Sequence, residues 1–450
     1  MMIGGAEEIG ANSTYLHCDG TGILVDAGLH PRERSERTFP RIEMLSELDL
    51  DAVFITHAHT DHMGALPYVL HAFPYARSFM TSATRDISHI MLPNSAKHIR
   101  QELQGVVPSN WLEFYDRSVI EQLRTTFEAI PYNEEVTFRG YRGQSDVAAK
   151  FTWAGHILGS AMVQFTVGGR TILHSGDFQT ENQQVVPGAI LPLHHVDVLI
   201  TEATNAGDLN PPTIAEETQR LAAFINQITI ENGSVLIPCF ALGKLQETIL
   251  LLYRLMQRGS IPHLPMYTAG MGTRISKIYD QYCYSDPMLR PGFEISDIQQ
   301  ERVFRDELAT GRYMKAPSIV LASAGMVNVG SISYELANLW LSKPNFGIAF
   351  VGFQHQSTPG YQLLHAPYKE PFELAGRRRQ RVCKIERFRF SSHAPREGIL
   401  RLVENTTPNT VVIIHGDSES CDALGLAVRE RYPQTRVIIP TEGKQYTLFS

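Results

Sequence analysis

Residues 51–62 read Asp-Ala-Val-Phe-Ile-Thr-His-Ala-His-Thr-Asp-His. An apolar run that suits a buried strand ends at Thr56 and passes directly into His57, His59, Asp61 and His62. Four groups able to bind a cation thus sit at a strand-to-helix junction, where they can aim at one point without long chain excursions. Neutral imidazole and carboxylate are the donors that zinc and similar divalent ions prefer. With 17 histidines in 450 residues, this spacing arises by chance on the order of once in a thousand chains of such composition. A histidine-rich surface loop explains it poorly. The helix expected after it, over 62–73, contains Pro67, which should bend it or restrict its first turn.

Working outward, further runs have the same form, an apolar stretch closed by a polar group. GILVD ends at Asp26 and DVLITE at Glu202; TILHSGD carries Asp177, and VVIIH ends at His415. His156 stands beside glycine in TWAGHILGS. Taken singly, each aspartate has the plainer reading of a turn or cap residue, and each histidine that of a satisfied core or surface group. Their shared setting at strand tips separates them from His17, His71, His89, His98, His194 and His263, which keep the plainer reading. A second β-α rhythm begins after Pro211-Pro212, with a helix over 213–231, a strand at 234–238, a helix over 243–257, a strand-turn unit at 318–330 and a strand ending in 348–352. No phosphate-binding glycine loop accompanies it.

Composition narrows the classes. At 43% hydrophobic and 19% charged residues with a net charge of −7, the chain reads as globular and lacks the basic field of a histone-like binder. Its five cysteines are scattered, with no C-x-x-C pair, which disfavours a disulfide framework and fits a reducing compartment. The N-terminal residues lack the pattern of a secretory signal, and no apolar run reaches the length of a membrane span. These features point to a cytoplasmic protein without membrane contact. One basic cluster, Arg377, Arg378, Arg379, Arg381, Lys384, Arg387 and Arg389, reads by itself as a solvated turn followed by an alternating strand. It leads, however, straight into Phe390-Ser391-Ser392-His393.

The motif HAHTDH with Asp26, His156, Asp177 and His415 resembles the metal motifs of the metallo-β-lactamase superfamily. TEATN around Glu202, SVLIPCFALGKLQETILLL, LASAGMV, FSSHA around His393 and VVIIHGD narrow the resemblance to the β-CASP branch. That branch comprises nucleic-acid-processing enzymes such as RNase J and the mRNA 3′-end cleavage endonuclease. The resemblance implies an α/β fold, an αββα sandwich over residues 1–206 and 379–450 with an α/β β-CASP cap inserted at 207–378. It implies two zinc ions, with manganese as the alternative. His57, His59 and His156 would hold the first ion, Asp61, His62 and His415 the second, and Asp177 would bridge them. Asp26 would orient a ligand and the attacking water. His393 would be the general acid, with Glu202 fixing its tautomer, so that catalysis falls to His393, Glu202, Asp26 and Asp61. Ser391, Ser392, Gly325 and Arg387 are the expected substrate contacts, chiefly to the sequence-independent phosphate backbone.

The implied activity is hydrolysis of single-stranded RNA, cutting internally or from an end. The expected setting is a homodimer or a processing complex. His415 in place of an apolar residue resembles the RNA-acting members, and the short stretch after it leaves no room for the extra C-terminal domain of RNase J-like relatives. A DNA nuclease on the same scaffold is the nearest alternative, a small-molecule metallohydrolase or a silent RNA-binding subunit the more distant ones. EATNAGD departs from the family's usual Glu-Ser-Thr-Tyr run, and Pro395 stands where an acid is common.

Overall fold

Each apolar run that closes on a polar residue forms a strand: Thr21–Val25, Ala52–Phe54, Arg170–His174, Val198–Glu202 and Thr410–Ile414. The computed structural model describes residues 1–284, 289 and 294–449. Its chain falls into two units, the first comprising 1–182, 187–210 and 392–450 and the second 183–186 and 211–391.

The first unit contains two sheets. One has six strands in chain order from Met2–Gly4 to Phe127–Ala129; the other has seven, from Arg436–Ile438 at one edge to Glu135–Phe138 at the other. Alternation along the central strands of the larger sheet serves two cores at once. Ile172, Val198, Ile200, Val412 and Ile414 face the smaller sheet's Ile23, Val25, Phe54 and Phe79. Leu173, Leu199, Val411 and Ile413 point the other way, against Ile399, Leu402, Val403, Leu424 and Val428 of helices Arg396–Thr406 and Ser418–Arg431. The long helix Ser82–Leu103 packs beside the six-stranded sheet at Phe127–Ala129, completing a four-layered αββα arrangement. The expected helix after the histidine motif is two short ones, Thr60–Met63 and Leu66–Ala72. Pro67 sits in the first turn of the second, where its missing N–H is no loss.

The second unit is built on a parallel sheet ordered Glu301–Arg302, Met266–Ala269, Ile319–Ala322, Val235–Pro238, Gly347–Phe350 and Lys384–Arg387. Helix Ile214–Ile230 opens on a reciprocal capping box between Thr213 and Glu216. The boundaries differ from the sequence reading of 207–378. Arg377–Gln380 pairs antiparallel with Pro371–Leu374, and Lys384–Arg387 pairs parallel with Gly347–Phe350. The basic run is therefore sheet of the second unit, and the return lies at Ser392. Several of its charges are spent locally: Arg379 binds Asn338, Arg381 binds the Ala366 carbonyl, and Lys384 pairs with Glu231 at 2.7 Å. Residues 183–186 join the second unit because the buried Glu247 carboxylate accepts the backbone N–H groups of Gln184, Val185 and Val186.

Phe54 is the centre of the sandwich. Its ring lies 4.8 Å from Phe79, 4.9 Å from Phe165 and 5.9 Å from Phe151. Phe54→Ala leaves a cavity that surrounding sheets cannot close, and is expected to cost about 3–5 kcal/mol, read as a lowered urea-unfolding midpoint of the first unit.

Candidate metal centre

The strand tips of the first unit place the polar groups. Thr21–Val25 and Ala52–Phe54 run parallel, so Asp26 and the Thr56–His62 segment emerge side by side. Parallel pairing of Val198–Glu202 with Thr410–Ile414 sets Glu202 opposite Ile414, immediately before His415. Asp26 and His415 both adopt left-handed backbone, at φ +64° and +51°. Non-glycine residues hold that conformation only where the surroundings over-determine it, and they concentrate at functional sites.

The histidine motif is clamped by backbone. Ala27 N–H donates to the His62 carbonyl, Leu29 N–H to that of Thr60 and Asn12 N–H to that of Asp61. Gly28 faces the Asp61 carbonyl at a distance where any β-carbon would collide with it. His57 Nε2 and His156 Nε2 thereby come within 3.0 and 3.1 Å of His59 Nδ1. Asp177 Oδ2 lies 3.7 Å from His57 Nε2, 3.3 Å from His62 Nε2 and 3.8 Å from His156 Nε2, while Oδ1 lies 3.1 Å from His415 Nδ1. His415 Nε2 is 3.7 Å and His62 Nε2 3.9 Å from Asp61 Oδ2.

Outer contacts set the tautomers. His156 Nδ1 meets the Ser392 carbonyl at 2.8 Å, so that nitrogen carries the proton and Nε2 turns its lone pair inward. Asp26 does the same for two rings: His62 Nδ1 donates to its Oδ2 at 2.7 Å, and the Thr56 hydroxyl, bonded to that same oxygen, accepts from His57 Nδ1. The Thr204 hydroxyl donates to the His415 carbonyl and accepts from His415 Nδ1. Such partners orient ligating histidines and raise their basicity.

Charge follows the same logic. Burial, reinforced by His62, drives the His57 pKa well below its usual value; burial and His393 do so for His156. Both rings are neutral, the form that binds metal. Burial opposes charge on Asp177 and on Asp61, yet neighbouring imidazoles, His415 and His62 for Asp177 and His62 first for Asp61, hold both carboxyls well below the ordinary range.

These residues fit divalent cations. Tetrahedral donors about zinc stand roughly 3.3 Å apart, close to the separations above. Buried Asp177 Oδ1 and His415 Nε2 lack hydrogen-bond partners, and orphaned polar atoms of this kind are costly unless an ion or water takes them. Among the described residues four overlapping groups could hold metal, including His57, His59 and His156 on one side and Asp61, His62 and His415 on the other. Glu202 and His393 join Asp177 and His415 in a further group. His174, equally buried, is different: its Nδ1 accepts the Gly176 N–H, its Nε2 faces Thr14, and burial pushes its pKa down to about 4.

Of the expected substrate contacts, Ser392 borders the cluster through its backbone. Ser391, Gly325 and Arg387 belong to the second unit, Gly325 with its carbonyl bonded to Gln354 and Arg387 exposed at the end of its strand. Sequence reasoning missed Thr56, Thr204 and Asn12, whose Nδ2 lies 3.1 Å from His62 Nε2. Thr204 lay in plain view, two residues past Glu202.

Comparison with known proteins agrees with this geometry. Residues 7–221 match the Metallo-beta-lactamase superfamily, 245–363 the Beta-Casp domain and 378–440 the Zn-dependent metallo-hydrolase RNA specificity domain. The chain belongs to the metallo-β-lactamase superfamily, in its β-CASP branch. It is 27% identical to cleavage and polyadenylation specificity factor 73 of Drosophila melanogaster over 96% of its own length, and spans 61% of that relative. It is 26% identical to Integrator complex subunit 11 of Gallus gallus over its whole length and 73% of the relative's. A crystal structure of a protein of unknown function from Enterococcus faecalis V583 shares the fold, with a TM-score of 0.54, 12% identity and 98% of each chain covered.

His59→Ala is expected to lose stoichiometric metal, measured by elemental analysis after dialysis. Asp26→Asn, which frees the His62 and Thr56 contacts while keeping volume, should weaken metal affinity about 10- to 100-fold in chelator competition.

Proposed function

We propose that this protein is a metal-dependent ribonuclease that hydrolyses phosphodiester bonds of single-stranded RNA, using two zinc ions. The observation that carries the reading is the placement of His393 beside a complete donor set. His393 Nδ1 bonds Glu202 Oε2 at 2.9 Å, and its ring lies 4.6 Å from that of His156. Glu202 is buried and also accepts the Phe178 N–H, at 2.8 Å, so it cannot swing away.

Bound at His57, His59 and His156 and at Asp61, His62 and His415, with Asp177 between them, the ions would supply Lewis-acid charge and lower the pKa of water. The chain's own part is proton management. With Nδ1 committed to Glu202, the mobile proton of His393 is the one on Nε2. Burial works against its charged form, but the Glu202 carboxylate bonded to Nδ1 raises its pKa above the ordinary imidazole value, which favours the protonated ring. As water oxygen bonds to phosphorus and the ester P–O bond breaks, that proton passes to the departing ribose oxygen. Asp26 keeps His62 and His57 in register throughout.

The match to an RNA specificity domain over 378–440 and the relatives' names support RNA as the substrate and a multi-subunit processing assembly as the setting. All five cysteines are free and buried, which fits a reducing compartment, and we place the protein in the cytoplasm. Among the described residues no helix is long and apolar enough to cross a membrane.

Matched single-stranded RNA and DNA oligonucleotides, 5′-phosphorylated or blocked, test the proposal. RNA should be cleaved and DNA spared; cleavage of DNA alone would reassign the enzyme. His393→Ala should retain its metals and lose roughly 100- to 10,000-fold in kcat; turnover at the normal rate would remove His393 from the mechanism.

A further inference from the structure

Two short segments each send one group into the metal centre and another onto the main chain of His393. In the first, Asp177 supplies the central carboxylate. The next residue, Phe178, donates its N–H to Glu202 and accepts the Ala394 N–H, and Gln179 Nε2 then donates to the His393 carbonyl at 2.9 Å. In the second, Glu202 binds the His393 ring, Thr204 binds His415, and Asn205 Nδ2 donates to the same His393 carbonyl at 3.0 Å. Both ends of the His393–Ala394 peptide are therefore pinned, the oxygen by two carboxamides and the nitrogen by Phe178. The preceding carbonyl, of Ser392, is held by His156. Asn205 also bridges to Pro395, and Arg396 Nε donates to the Ala206 carbonyl at 2.6 Å.

We infer that Gln179 and Asn205 are positioning residues for His393, gripping its carbonyl so that the ring stays aligned with the groups around Asp177. The carbonyl oxygen has two lone pairs, and donors from two different segments fix its direction as one alone does not. The backbone at His393 leads from a turn into the helix Arg396–Thr406, and a peptide free to rotate there would carry the imidazole with it. Proton transfer tolerates little such drift.

The inference rests on the general-acid role given to His393 above. It is tested on RNA and on bis(p-nitrophenyl) phosphate, whose leaving group departs as an anion and needs no proton. Asn205→Ala should lower kcat on RNA about 10- to 100-fold. Its KM and its metal content should stay unchanged, and the aryl ester should lose less than about 3-fold. Gln179→Glu, which keeps the Oε1 contact to Glu181 N–H and removes the donor, should behave alike. Asn205→Asp serves the same purpose should the alanine variant fold poorly. Equal losses on both substrates, or no loss on RNA, would overturn the inference. Failure of the wild type to cleave RNA, or full activity of His393→Ala, would instead sink the function it rests on.

Discussion

The first unit depends on one buried carboxylate meeting several imidazoles. Asp177 Oδ2 lies within 4 Å of nitrogens from His57, His62, His156 and His393, and Asp177 is only 3% exposed. A buried charge is tolerable only where paired, and here burial is offset chiefly by His415 and His62, which arrive from separate strand ends. Parallel strands deliver them: their registers fix which tips are neighbours, and the two-sided core holds those registers in place. A slip of one residue would turn every apolar side chain to the wrong face and withdraw the polar tips together.

Asp26 shows how far the arrangement reaches beyond the groups that would touch metal. Its left-handed backbone and three accepted hydrogen bonds tie the Thr56 N–H, the Thr56 hydroxyl and the His62 ring to one residue. Hydrogen bonding thus decides which nitrogen of each ring is available, before any ion arrives.

Legibility in the sequence followed chain proximity. His57, His59, Asp61 and His62 were readable because their donors lie within one turn of chain. His156, Asp177 and His415 became readable as polar tips on apolar runs, and the structure brings all seven together. Gln179 and Asn205 were not readable, because a side chain that bonds a distant carbonyl leaves no spacing pattern. The fold was legible where runs were apolar and closed sharply; the strand Met266–Ala269 and helix Gly272–Tyr282 were not anticipated. The compact second unit runs past the expected return at 379 to Ser391, because the end of the basic run pairs with Gly347–Phe350 as an edge strand.

The excursion at 183–186 bears on how this molecule can be dissected. Glu247 is 7% exposed, its burial works against charge, and its carboxylate is satisfied by amides from a stretch some sixty residues upstream. A fragment starting at Pro211 would keep the sheet and helices of the second unit yet strand that carboxylate without its donors, a penalty of several kcal/mol. The insertion is therefore not a self-sufficient module spliced between two residues. Part of its interior is written into the sequence before the splice begins.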